Sequence, residues 1–401
     1  MKVRIIKILI FFFLIAFLFL NKDEELNQYY WIISFMMYAT FLVDFKIQSY
    51  PLMKQNIYGN RMIFLTILGF LSLLWAPDFS VTLIHVIILS IVVLNSYVLY
   101  YFITKYDLSL YIVSAMLVYS FINYSLVFKM PLFNFLLNKD EEGTQRFVGT
   151  ELNPNDLGVM LIFSIFLSLS TFTFFRNQPK FLYIIHIINV LLGLYTIVLS
   201  ESRTAMLCSI SLILFFLFLN AFKWMFSFKT IISFIIVVLF CFSFFNWSSI
   251  IQNFSPSVER FYGMFSTISG SGTDNSTAVR LSYIKKGWEE FTQNPWTGYG
   301  MNSFQYYHRQ YAHNNYIELL FALGFMGPLI YYSIHFSIAR RLFKYNKKRF
   351  IIGFLIALLV MDGGVVSYYS KQHMLMFVTI LIFLNKMPVK ENSPKLSAIP
   401  E

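Results

Sequence analysis

Apolar runs approaching the ~20 residues needed to cross a bilayer recur from one end of the chain to the other, separated mostly by short polar turns. About twelve are legible, near residues 4–20, 29–45, 61–77, 79–103, 108–128, 155–175, 180–200, 204–222, 229–247, 315–338, 350–369 and 372–387. The pattern predicts an all-α polytopic integral membrane protein with about 12 transmembrane helices, because a helix satisfies its own backbone polar groups within hydrocarbon. Two interruptions are longer, an outer loop at 129–154 and a large loop at 248–314 between the ninth and tenth runs, the latter expected to contain short helices. No soluble domain and no internal repeat stand out, so residues 1–401 are read as a single transmembrane domain. The first run follows a Lys/Arg-bearing start in the manner of a signal peptide, yet no A-x-A-like cleavage site follows it, and it is read as a retained helix.

Composition agrees with the pattern. The chain is 57% hydrophobic and 13% charged, far from the roughly 25% charged residues of soluble domains. Its net charge of +11 is explained by topology. Cationic loops remain cytoplasmic, and with the N-terminus inside, one face collects Lys2, Arg4, Lys7, Lys46, Lys54, Arg61, Lys105, Arg176, Lys180, Lys223, Lys229, the cluster from Arg340 to Arg349 and the C-terminal lysines. Asp23, Glu24, Glu25, Asp140, Glu141 and Glu142 fall on the other. Both termini are therefore expected in the cytoplasm and both long loops outside. Basic residues dispersed over short inner loops suit anionic membrane lipids rather than nucleic acid, which needs one accessible basic face. Cys208 and Cys241 both fall within expected spans and read as small apolar thiols, neither a disulfide nor a metal site.

Three outer-face sites carry polar residues that packing does not require. Residues 146–158, RFVGTELNPNDLG, close one outer loop and open a membrane helix. Asn153, Pro154, Asn155 and Asp156 are turn and cap residue types there, while Arg146 is open to solvation or to a ligand. Glu201, Ser202 and Arg203 occupy a very short turn, placing a guanidinium at membrane depth, where an anion or acceptor must meet it. Two partners are open: Glu201 or the headgroup region on one side, and a phosphate gripped by the guanidinium fork on the other. The third site runs from Arg280 to Gly327. Arg280, Ile284, Trp288 and Phe291 recur at helical spacing until Asn294 and Pro295 stop the run, which predicts an amphipathic surface helix. Gly298 and Gly300 suit a tight turn, and His313 and Asn314 precede the next apolar helix, where Asn314 or Asn315 is a candidate cap. A near-neutral imidazole beside arginines suits proton transfer from an acceptor hydroxyl while a charged leaving group is held.

Four elements in order resemble the O-antigen ligase and Wzy polymerase family of bacterial envelope glycosyltransferases: RFVGTELNPND, SESRTAML, AVRLSYIKKGWEEFTQNPWTGYGMNSF and AHNNYIELLFALGFMG. They cover the middle and C-terminal half, and the last two are the specific ones. The resemblance implies a bacterial inner-membrane enzyme that transfers an undecaprenyl-pyrophosphate-linked glycan to an acceptor hydroxyl on the outer face. It implies that Arg203 and Arg280 neutralise the pyrophosphate leaving group and that His313 activates or orients the acceptor. No metal and no cofactor are expected, in keeping with the lack of a carboxylate or His/Cys cluster at ligand spacing. A single displacement would invert the anomeric centre.

Around this core, Arg146, Asn314, Glu318 and Trp288 are further substrate-binding candidates. Glu318 lies about one helical turn beyond His313, positioned to orient the imidazole or to pair with a cation. Trp288, Trp296, Tyr299, Tyr306 and Tyr307 can stack on sugar rings. Asp44 is expected to be structural, and His85, His186, His335 and Asp362 are left outside the catalytic set, Asp362 because the expected topology places it away from the outer face. The leading functional expectation is a polymerase joining lipid-linked O-antigen or capsular repeat units, with a chain-length regulator and a flippase as working partners. The alternative is a ligase delivering the same glycan to lipid A core or a protein. A lipid-linked glycan flippase would instead line a central passage with polar residues.

Overall fold

The computed structural model describes residues 2–20, 24–138, 146–174, 179–224, 247–272, 274–343 and 349–385. Among them every regular element is helical, and the protein is a helical membrane protein. The expected span at 229–247 falls outside the described residues but for its last position, as do Cys241 and the Asp140–Glu142 acidic trio. In chain order the helices are α1 (Lys2–Phe19), α2 (Glu24–Asp44), α3 (Tyr50–Lys54), α4 (Ile57–Ser72), α5 (Phe79–Lys105), α6 (Ser109–Val127), α7 (Pro154–Phe174) and α8 (Lys180–Leu199). They continue as α9 (Arg203–Trp224), α10 (Trp247–Ile268), α11 (Asn275–Gln293), α12 (Ser303–His308), α13 (Asn315–Leu323), α14 (Met326–Phe343), α15 (Arg349–Met361) and α16 (Lys371–Asn385).

Among the described residues, α5, α6, α8 and the Pro154–Phe172 part of α7 are both long and apolar enough to cross a membrane. The helices α4, α15, α16 and the Arg203–Leu219 part of α9 are apolar but shorter. Two expected spans are broken where glycine permits it. The run at 315–338 divides because Gly324 adopts φ 61°, ending α13 and letting the chain restart at Met326. The run at 350–369 stops at Met361, since residues 362–370 turn back toward α16 instead of continuing.

The centre is built on α7 and α16, whose side chains are buried along most of their length. Gly158 of α7 admits α9 closely: a Cβ placed there would lie 2.4 Å from the Ala205 methyl. Phe166 stacks on Phe354 of α15 at a centroid distance of 3.9 Å. Polar side chains join helices in the interior, as membrane proteins use them: Ser120 donates to Ser164 at 2.6 Å, and Asn189 donates to Ser164 and Ser168 at 3.0 and 2.9 Å. Asp44 has the structural role expected of it, receiving Lys105 Nζ at 2.8 Å and the Tyr106 hydroxyl at 2.7 Å.

The polar passage from Arg280 onward is fixed to this bundle by backbone contacts. Tyr299 N–H donates to the Phe321 carbonyl at 2.9 Å, Gly300 N–H to Ala322 at 2.8 Å, and Phe325 N–H to Pro295 at 2.8 Å. Gly298 and Gly324 face one another across this seam, with φ of 62° and 61°, and a Cβ on either would sit 2.6 Å from backbone atoms opposite. The glycines thus join the turn after α11 to the end of α13. The next step reaches α4 and α5, as Ser72 Oγ accepts from Met301 N–H at 3.2 Å and Thr82 donates to the Met301 carbonyl at 3.0 Å.

Candidate functional site

Four arginines from separate parts of the chain line one cavity of about 150 Å³. Arg146 comes from the loop before α7, Arg203 from the first residue of α9, Arg260 from α10 and Arg280 from α11. Asn155, Glu201, Thr277 and Gly363 complete its polar wall. Arg203 and Arg280, predicted together from sequence, are therefore brought together, and Arg146 joins them.

The fold delivers Arg203 through a strained turn. Glu201 adopts φ 51°, a left-handed conformation uncommon for a non-glycine residue, so the chain reverses within Ser200–Ser202 and opens α9 at Arg203. A cation at a helix N-terminus opposes the helix dipole and requires an anion nearby. Asp274 supplies it: Arg203, with only 7% of its side chain exposed, donates Nη1 to Asp274 Oδ2 at 2.8 Å. The same nitrogen donates to Thr277 Oγ1 at 3.0 Å and the Arg260 carbonyl at 3.1 Å. The local Glu201–Arg203 ion pair considered from sequence is not formed; Glu201 instead receives Arg260 Nη1 at 3.2 Å. Residues two apart at the tip of a tight turn point to different neighbours, and the longer reach across to α10 and α11 prevails.

Asp274 also caps α11, accepting from Thr277 N–H at 3.1 Å and from the Thr277 hydroxyl. One carboxylate thus fixes both Arg203 and the helix that carries Arg280. Burial acts to raise the Asp274 carboxyl, but the hydrogen bonds from Thr277 and Arg203 outweigh it and hold the group below its ordinary pKa. Arg260 is pushed the other way from its usual value, downward, by burial and by the neighbouring Arg146 and Arg203 charges, with Glu201 opposing. Asp274 meets Arg203 and Glu201 meets Arg260, and four guanidiniums share this one cavity. Such a donor set suits a phosphoryl ligand rather than a metal ion.

A second, larger cavity of about 540 Å³ adjoins the first. Tyr30, Trp31, Tyr311 and Tyr369 give it aromatic walls, and Asn27, Asn95, Asn153, Asp156, Lys371 and Gln372 give it polar ones. Asn155 lines both cavities. Asn153, not Asn155, performs the local capping, accepting from Asn155 N–H at 2.8 Å, while Asn155 Oδ1 accepts from Ser202 Oγ at 2.8 Å. Asn155 therefore ties the first sequence site to the second.

His313 lies outside the linings of both cavities and is connected to each. Its ring packs against that of Tyr311 at 3.9 Å, and Tyr311 lines the larger cavity. Its backbone is left-handed, φ 52°, in an ordered turn just ahead of α13. Asn314 caps that helix, accepting from Ile317 N–H at 3.1 Å, and its Nδ2 reaches the Gly363 carbonyl at 3.4 Å, beside the arginine cavity. Glu318 is fully buried and accepts from Ala312 N–H at 2.9 Å, so its recorded contact holds the backbone that presents His313. Trp288 is 53% exposed on α11 and lines neither cavity.

The expectation that Asp362 lies away from this end of the molecule is overturned. The Asp362 carbonyl accepts from Asn315 N–H at 2.7 Å, its carboxylate receives Asn315 Nδ2 at 3.4 Å and Ser367 Oγ at 2.5 Å, and the adjacent Gly363 enters the arginine cavity. Asn315 Oδ1 in turn accepts from Ser367 and Tyr368 N–H at 2.9 and 3.1 Å. Because α15 ends at Met361, Asp362 sits in the turn that buttresses His313 and Asn314 rather than within a span.

Sequence reasoning missed Arg260, Asp274 and the joining role of Asn155. Arg260 had a usable signal, since α10 is strongly amphipathic within a long polar loop, but it stands in none of the quoted motifs. Asp274 had none beyond its place as a cap-type residue before α11.

Residues 188–332 match the family described as O-antigen ligase (Wzy_C). The match contains Arg203, Arg260, Arg280, His313, Asn314 and Glu318, and leaves Arg146 and Asn155 before its start. No curated protein matches the chain. Residues of the arginine-lined cavity and of the histidine turn thus fall within the stretch that is similar to the O-antigen ligase family.

Proposed function

We propose that this protein is a glycosyltransferase of the bacterial inner membrane that polymerises undecaprenyl-pyrophosphate-linked oligosaccharide repeat units on the outer face. The observation that carries the reading is the cavity on which Arg146, Arg203, Arg260 and Arg280 converge, because guanidiniums pair with the oxygens of a diphosphate. In this reading about twelve helices span the membrane, both termini are cytoplasmic, and the loops at 129–154 and 248–314 are extracytoplasmic.

The acceptor hydroxyl gives its proton to the His313 imidazole while its oxygen attacks the anomeric carbon of the donor. The bond from that carbon to the diphosphate oxygen breaks, and its electron pair leaves on the diphosphate. Arg280 and Arg203 stabilise the charge developing there, which lowers the barrier because the interaction strengthens as the bond breaks. Arg203 is held by Asp274, so it contributes chiefly fixed positive potential beside Arg280 and Arg146. The aromatic and amide walls of the larger cavity suit a saccharide, whose ring faces stack on Tyr and Trp and whose hydroxyls bond to Asn and Gln. Asn314 and Glu318 shape the His313 turn, and Trp288 offers a stacking face at the surface. One displacement inverts the anomeric centre, and a flippase and a chain-length regulator would act before and alongside it.

The test is incubation of the purified protein with lipid-linked repeat units alone. Chain growth supports a polymerase. Transfer that occurs only after lipid A core is added identifies a ligase instead, and glycan assembly that survives both Arg280→Ala and His313→Ala in cells removes the transferase reading altogether.

A further inference from the structure

A third cavity, of about 550 Å³, opens between α4 and α14, and its chemistry differs from that of the other two. Arg61, Arg340 and Arg341 line it together with Asn60, Ser333 and Ser337, and among the described residues its lining carries no carboxylate. Ile57, Phe64 and Phe336 supply its apolar wall, with Phe64 57% exposed and Phe336 70% exposed.

Helix geometry fixes where this cavity lies. The C-terminal end of α4 touches the glycine turn through Ser72 and Met301, and α14 starts beside the same turn, just after Gly324. At about 1.5 Å per residue, Arg61 is about 16 Å back along α4 from Ser72, and Arg340 is about 21 Å along α14 from Met326. Both displacements lead away from the glycine turn, to stretches of α4 and α14 whose arginines the sequence pattern assigns to the cytoplasmic side.

Arg340 and Arg341 stand in the last turn of α14, where cations complement the helix dipole, and need no ligand on that account. Arg61 is different. It follows the opening turn of α4, at the positive end of that helix, and the first turn contains no acidic residue. Three guanidiniums converging around an open volume with a cationic helix end repel one another unless an anion lies between them. Asn60 is held in place, donating to the Lys54 carbonyl at 2.9 Å and accepting from the Tyr97 hydroxyl at 2.7 Å, so the floor is ordered.

We propose that this cavity binds the headgroup of an anionic phospholipid from the leaflet opposite the glycan-transfer site. The headgroup phosphate is held between Arg61 and the Arg340–Arg341 pair, and an acyl chain runs along Phe64 and Phe336. Basic pockets between transmembrane helices recognise such headgroups through the same guanidinium–phosphate pairing. A soluble phosphate would meet the same arginines but gain nothing from the exposed phenylalanines, which is why a lipid is the occupant.

The test is native mass spectrometry of the full-length protein released from phosphatidylcholine nanodiscs doped with phosphatidylglycerol or cardiolipin. The wild type is expected to retain one anionic lipid in preference to phosphatidylcholine. The Arg61→Gln, Arg340→Gln, Arg341→Gln triple variant should lose about a hundred-fold in retention, from roughly five-fold per arginine. Ser337→Phe, which fills the cavity without altering its charge, should also displace the lipid. Equal retention by the triple variant overturns the proposal, and so does displacement of the lipid by inorganic phosphate as effective as by added cardiolipin. The exposed arginines are replaced without disturbing the core, and unchanged thermal unfolding of the triple variant in detergent checks that it is folded.

Discussion

Removing Asp274 tests the organisation of the arginine cavity most directly, because this carboxylate does two separable things. It caps α11, and it is the anion facing the nearly buried Arg203. Replacing an Asp cap by Ala costs about 1 kcal/mol, whereas Asn caps almost as well as Asp. Breaking a buried ion pair by removing one partner costs roughly 3–5 kcal/mol. The lower end applies here, since Asp274 is 22% exposed and Arg203 keeps Thr277, Ser276 and the Arg260 carbonyl as acceptors. Asp274→Asn should therefore lose about 3 kcal/mol and Asp274→Ala about 4 kcal/mol of local stability, if the two contributions add.

Hydrogen exchange of peptides covering 275–293, measured on the intact protein in detergent, reads that loss where it arises. At 1.4 kcal/mol per tenfold, α11 amides should exchange roughly a hundred-fold faster in Asp274→Asn and several-fold faster again in Asp274→Ala. An Asn variant indistinguishable from wild type would refute the ion pair as the anchor of α11; equal Asn and Ala variants would refute the cap. The pH dependence has a definite sign. The folded carboxyl titrates below its ordinary value, so its contribution is complete above about pH 4 and is lost only as pH falls through the lower, folded value. The gap between wild type and Asp274→Ala should be constant from neutral pH to about pH 4 and narrow below it.

Other perturbations separate donor binding, proton transfer and folding. Arg280→Ala should lower kcat/KM for a lipid-linked donor by about 10- to 100-fold, the worth of one charge-assisted phosphate contact, with Arg280→Lys recovering only part of it; equal activity of Ala and wild type would remove Arg280 from the donor site. His313→Gln should lower kcat by about 10²–10⁴-fold with little change in donor binding, measured by single-turnover transfer, and a purely KM effect would contradict general-base action. Gly298→Ala should destabilise the chain by about 3 kcal/mol, combining a left-handed alanine with a Cβ 2.6 Å from the Ala322 carbonyl, and thermal unfolding in detergent would expose the error if it were silent.

How much of this was legible in the sequence depends on the range of the interaction concerned. Helix class, the surface helix bearing Arg280, its stop at Asn294 and the cap at Asn314 all follow from contacts within a few residues, and the sequence displays them. The partner of Arg203 is 71 residues away, and no local pattern selects Asp274 over the nearby Glu201. Asp362 shows the same limit in another form. An apolar run read as continuous to residue 369 conceals a turn whose existence rests on Asn315, 47 residues earlier, binding the Asp362 carboxylate and the Ser367 and Tyr368 amides.

That turn also explains why the site resides in such an irregular part of a helical protein. Regular membrane helices bury their backbone groups, so a cavity that holds a polar ligand needs helix ends, and here several contributors lie at or near one. Arg203 starts α9, Arg280 lies in the second turn of α11, Asn314 caps α13, and Gly363 follows the end of α15. Left-handed residues at Glu201 and His313 and glycines at 298 and 324 make those ends abrupt enough to meet. Arg203 and Arg260, lacking an apolar reason to converge, are held by Asp274 and Glu201. Carboxylates from separate elements thus let Arg203 and Arg260 assemble at the cavity before a diphosphate enters it.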